Sequence, residues 1–85
     1  MGRANEFKII IKETTGNIYV RENTQYNNIQ AENVTVFENV IVRLFGVVKG
    51  LLTLKAGSSV YLHGSLYGSV KNEGGEIHIF NKEDE

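Results

Sequence analysis

The sequence predicts an all-β fold: a small three-sided parallel β-helix of about 3–4 coils, with an N-terminal strand or hairpin as cap. Three observations predict it. The first is composition, with no proline, nine glycines and an apolar set dominated by Val, Ile, Leu, Tyr and Phe, which favours strands. The second is negative, since no window carries apolar residues at i, i+3, i+4 and i+7 over three turns, as an amphipathic helix would. The third is a repeat: NIYVREN (17–23), NVTVFEN (33–39), LLTLKAG (51–57) and SVKNEGG (69–75) superpose, with starts 16, 18 and 18 residues apart. A period near 18 closes one coil of three faces, each about 20 Å long, and stacks coils about 4.8 Å apart. The 85 residues make a single domain, divided as cap (1–16), repeats (17–80) and acidic tail (81–85).

The elements follow in order. FKIIIK (7–12) is a short apolar strand that either starts the stack or, with the ETTGN turn and NIYVRE, forms a hairpin over it. Each repeat segment has an aliphatic second residue, Ile18, Val34, Leu52 or Val70, and ends on Asn or Gly, the residues that most easily take a left-handed turn conformation. Three of the turns are followed by a second alternating strand, VIVRLF (40–45), SVYLHG (59–64) and EIHIF (76–80). Gly46 then matches Gly64, and Gly50 matches Gly68. The last coil is one residue shorter near Gly74-Gly75. Val36, Val42, Val48, Leu54, Val60 and Leu66 recur every six residues, one per face, and the period breaks at Asn72. An antiparallel sandwich or barrel also accommodates regularly spaced strands. Column-by-column matching of side chains at one phase favours the parallel helix.

GVVKGLLTLKAGSSVYLHGSLYGSVKNEGGEIHIF (46–80) resembles the repeats of bactofilins, the polymer-forming β-helical cytoskeletal proteins of bacteria. The similarity lies in two G-x-hydrophobic-x-G-x-hydrophobic units, Gly46-Val47-Val48-Lys49-Gly50-Leu51-Leu52 and Gly64-Ser65-Leu66-Tyr67-Gly68-Ser69-Val70. The resemblance implies a right-handed, three-sided helix that assembles end to end without nucleotide. NKEDE (81–85) departs from that pattern, reading as a charged gatekeeper over the last strand edge.

The candidate chemistry is sparse. The formal net charge is −1 and there is no cysteine, which argues against nucleic acid, an anionic membrane surface, a disulfide framework and a thiolate zinc site. No apolar run approaches the roughly 20 residues that span a bilayer, and MGRANEFK lacks the apolar stretch of a secretory signal, so the expected location is the cytoplasm. By column, His63 aligns with Phe45 and Phe80, and His78 with Arg43 and Tyr61. Both histidines therefore point outward, in different columns, with no carboxylate placed to orient either as a base. The six-residue period is similar to that of hexapeptide acyltransferases, which set a histidine between left-handed coils, but those need more coils and a protruding loop. The glycines lack the lysine and helix start of a phosphate loop and read as corners. Asn17 with Asn23, and Asn33 with Asn39, read as an asparagine ladder at turns.

Arg43, Phe45, Tyr61, His63, His78 and Phe80 thus share one outward face, as an aromatic ladder, a partner-binding surface or both. The chain is expected to be no enzyme and to need no cofactor or metal. Its expected role is to bind a protein partner or a second copy; inhibition of a partner is an optional consequence, by analogy with immunity proteins and phage-type inhibitors of this size. The alternative is a bactofilin-like self-assembling scaffold.

Overall fold

The computed structural model describes residues 7–80; the acidic tail and the first six residues of the cap lie outside them. The described chain forms eight strands and no helix: β1 (Lys8–Ile10), β2 (Thr14–Val20), β3 (Thr24–Val36), β4 (Ile41–Val48), β5 (Leu51–Leu54), β6 (Ser59–Leu66), β7 (Ser69–Asn72) and β8 (Glu76–Phe80). All seven strand pairings are parallel, so the fold is a β-solenoid of about four turns. The first face stacks β1, the start of β3, the starts of β4 and β6, and β8. The second stacks Thr14–Gly16, Ile29–Ala31, Gly46–Val48 and Gly64–Leu66. The third stacks Asn17–Val20, Asn33–Val36, β5 and β7.

The registers are those the repeat implies. Ile18, Val34, Leu52 and Val70 form one inward column, and Val42, Val60 and Ile77 another. Val36, Val42, Val48, Leu54 and Val60 are fully buried, because a six-residue step on a three-sided coil returns each to the inside of the next face. At Asn72 the step leaves the core. Its Oδ1 accepts from the Gly74 and Gly75 backbone N–H at 2.9 and 2.7 Å, capping the shortened last turn.

Of the two arrangements open for the N-terminus, the strand is the one found. Lys8, Ile9 and Ile10 ladder in parallel onto Thr24, Gln25 and Tyr26, and Thr14–Gly16 continue onto Ile29–Ala31. A hairpin would be antiparallel. Stacking therefore begins at residue 8, inside the segment read as a cap. Lys8 occupies the inward column above the buried Thr24 and pairs with Glu22 at 3.4 Å. A charge at an inward position of an edge strand discourages another chain from adding there.

Among the described residues, polar groups inside are few and satisfied. Thr24 Oγ1 donates to the Glu22 carbonyl at 2.7 Å and Ser58 Oγ to that of Lys55 at 2.8 Å. Asn33 Nδ2 donates to Asn17 Oδ1 at 3.0 Å, while its own Oδ1 accepts from the Leu51 N–H at 2.8 Å. The asparagine ladder thus runs between coils along the Asn17–Asn33 corner. Asn23 does the same at another corner, taking the Ile41 N–H at 2.9 Å.

Tyr26 sits in the inward column of Ile10, Leu44, Leu62 and Ile79. Burial pushes its phenol above the ordinary 10.0, and the Glu22 carboxylate adds to the shift. Below pH 10 the phenol is neutral whether the chain is folded or not, so stability is unaffected. Above it the unfolded chain loses the proton first, and stability falls as pH rises towards the folded value. Tyr26→Phe is expected to flatten that alkaline decline, read as urea midpoints between about pH 9 and 11. An unchanged slope would remove Tyr26 as its source.

Candidate functional site

The outward residues of the first face come from alternate positions of β4, β6 and β8. Strand geometry points Ile41, Arg43 and Phe45 away from the core filled by Val42 and Leu44. Parallel register then sets Arg43 beside Tyr61 and Tyr61 beside His78, and Phe45 beside His63 and His63 beside Phe80. All six residues expected on this face are there.

Their rings stack. Phe45 and His63 have centroids 4.5 Å apart and planes 6° apart, His63 and Phe80 4.7 Å and 15°, and Tyr61 and His78 5.0 Å and 7°. The strand spacing of about 4.8 Å dictates these separations. Parallel rings at that distance must slide into the offset arrangement their quadrupoles prefer, worth about 0.5–1.5 kcal/mol per pair. The ladder is thus both structural and displayed: the ring at its C-terminal end, Phe80, remains 47% exposed.

The histidines differ in one respect from the sequence reading. Glu76 Oε1 lies 3.5 Å from His78 Nε2, so a carboxylate does accompany His78. Residues two apart on a strand share a face, and that spacing is visible in EIH. His63 is sandwiched between two phenyl rings. Among the described residues no group of three or more His, Cys, Asp or Glu is placed to hold a metal, and no helix is long and apolar enough to cross a membrane.

Three participants escape the sequence reading. Phe7, just before β1, lays its ring 4.5 Å from the Arg43 guanidinium carbon. Gln25 Oε1 accepts from Arg43 Nη1 at 3.2 Å, and Gln25 Nε2 donates to Asn27 Oδ1 at 2.9 Å. Ile41 joins Phe7, Arg43, Tyr61, His63 and Phe80 around an open groove of about 570 Å³. Extending the Arg43 column back through Gln25 to Ile9 would have found Gln25 and put Phe7 in the column of Ile41. No protein-family model matches the chain, and no curated protein or solved structure matches it either.

Proposed function

We propose that the protein is a compact, non-enzymatic binding module of the cytoplasm that docks on a protein partner through the first face and occludes the surface it covers. The observation that carries this reading is the displayed ladder Phe45–His63–Phe80 beside Arg43 and Tyr61, bordering an open groove of mixed aromatic and polar lining. Aromatic rings and Arg are enriched where interfaces concentrate their energy. Here the ladder holds the rings before any partner arrives, which lowers the entropy lost on binding.

The test pairs wild type with Phe45→Ser/Phe80→Ser, each immobilised and exposed to extract of the cells that make the protein. Each is also followed by light scattering over a wide concentration range. The expected result is one protein, or a discrete dimer, retained by wild type and lost from the double variant, with the far-UV β spectrum unchanged. Phe80→Ser alone, at the end of the ladder, is the milder substitution should the pair unfold. Identical association by wild type and variants would overturn the reading.

A second reading, end-to-end self-assembly, has its own observation. Among the described residues β7 and β8 are sheet edges, and Ile79, in an inward column, is 46% exposed. Continuing the columns into another copy would set Ile79 on Ile10 and Val70 on Ile18, but also Ile77 on Lys8. Indefinite growth with concentration, unaffected by the Phe substitutions, would favour it over partner docking.

A further inference from the structure

Among the described residues Arg43 is the one guanidinium bordering the groove, and no carboxylate lines it. The described ion pairs engage Lys8, Lys55, Lys71 and His78, and Arg43 is in none. On this face Glu76 lies two strands away across β6 and accompanies His78, while Glu22, which shares a separate hollow with Phe7, pairs with Lys8. Arg43 is nevertheless held in place. Phe7 lies against its plane, Gln25 takes one N–H of Nη1, and Asn27 fixes Gln25 in turn. A guanidinium carries five N–H donors. Among the described residues the bond to Gln25 is the only side-chain hydrogen bond Arg43 makes, so the rest of the planar fork, on a residue that lines the groove, is without a protein partner there. Arg21, stacked on Phe37 at 4.4 Å, differs: the acidic Glu22 lines the same hollow as Arg21.

We infer that the groove is a receptor for a side-chain carboxylate carried next to an aromatic residue, with Arg43 taking the carboxylate and Phe7, Ile41, Tyr61 and Phe80 the ring. The inference rests on the docking role of this face and names the chemistry of what docks: an acidic-aromatic stretch of a partner chain. A planar fork pairs two N–H groups with two carboxylate oxygens, which a lysine or a hydroxyl does not reproduce. The ring-lined surroundings exclude water from one side of that pair and strengthen it. Because its lining extends from Phe7 and β4 across β6 to Phe80 of β8, a chain passing through fits it better than a chain end. The occupant is therefore an internal Asp or Glu.

The test uses the full ¹⁵N-labelled chain and two blocked dipeptides, N-acetyl-Phe-Asp-amide and N-acetyl-Phe-Asn-amide, which differ only by the carboxylate. They are titrated into the millimolar range at constant ionic strength. Shifts are expected at Arg43 Nε–H and at the amides of residues 41–45 and 61–63. The Asp peptide should bind at least about tenfold more tightly than the Asn peptide, the scale of one charge-assisted hydrogen bond. Arg43→Gln should erase that preference while leaving the stacked-ring amides in place, and Arg43→Lys should restore part of it. Equal binding of the two peptides, a preference that survives Arg43→Gln, or no binding by either would overturn the inference. Tighter binding of N-acetylphenylalanine, whose carboxylate is terminal, would overturn the assignment to a side chain. Failure here with partner capture intact would leave the docking role standing. Peptide discrimination without any partner lost on the Phe substitutions would do the reverse.

Discussion

Gly64→Ala is expected to cost about 2–6 kcal/mol, the sum of about 1–3 for overpacking and about 1–3 for backbone strain. A domain of this length has roughly 4–13 kcal/mol in all, so the variant is expected to be marginally folded or unfolded. Gly64 has φ +155°, and a Cβ built there overlaps the carbonyl oxygen of Gly46 in the coil before it. That oxygen belongs to a backbone fixed by the ladder between β4 and β6, so nothing flexible can give way. Gly16 supplies the control: at φ +86° its Cβ would meet nothing within 4 Å. Gly16→Ala should therefore show strain alone, about 1–3 kcal/mol. Urea unfolding of the two variants separates the terms, and equal losses would show that the stacked carbonyl is not what demands glycine at residue 64.

The same close approach explains what the sequence discloses and what it conceals. Coils that stack carbonyl on glycine and ring on ring must repeat in register. Gly46 with Gly64, Arg43 with Tyr61 and His78, and Phe45 with His63 and Phe80 are therefore visible as columns in the amino-acid sequence alone. The N-terminal coil is less legible because its corners differ. Thr24 follows Lys8 by 16 residues rather than 18, and β3 shifts register between Tyr26 and Ile29 and again opposite Gly16 and Asn17. The Asn27-Asn28 corner takes one extra residue and the Glu32 corner one fewer. Ile29 then stands where later coils have glycine, and Asn27 and Asn28 stand where they have an aromatic.

That irregularity hides two residues of the site: Phe7, which lines the groove, and Gln25, which holds Arg43, act from the first two coils, whose alignment with the later ones is not evident from residue type. Ile41 is hidden for another reason: an aliphatic residue facing outward looks like core until its neighbours Val40 and Val42 are seen to be buried. The Glu76–His78 pair needs only the two-residue periodicity of a strand. Side-chain columns are thus readable wherever coil length is constant, and contacts between coils of unequal length are not.

Leu62→Ala is expected to cost about 3–5 kcal/mol, within the range for a large buried aliphatic whose cavity cannot collapse. Leu62 is fully buried, between Leu44 on one side and Ile79 on the other in a single inward column. Ile79→Ala removes a side chain of the same size from the same column, yet that position is 46% exposed. Roughly half the transfer term is already absent there, and the edge leaves little enclosed cavity, so about 1–2 kcal/mol is expected. In a solenoid each coil is stabilised by its neighbours. The central coil has one on each side, whereas among the described residues β8 pairs with β6 alone. Amide exchange of Ile77–Phe80 should accordingly exceed that of Val60–Leu62, and urea midpoints should rank wild type, Ile79→Ala and then Leu62→Ala. Equal losses for the two substitutions would mean that the C-terminal end of the stack is covered as completely as its middle, which would remove the exposed edge on which end-to-end assembly depends.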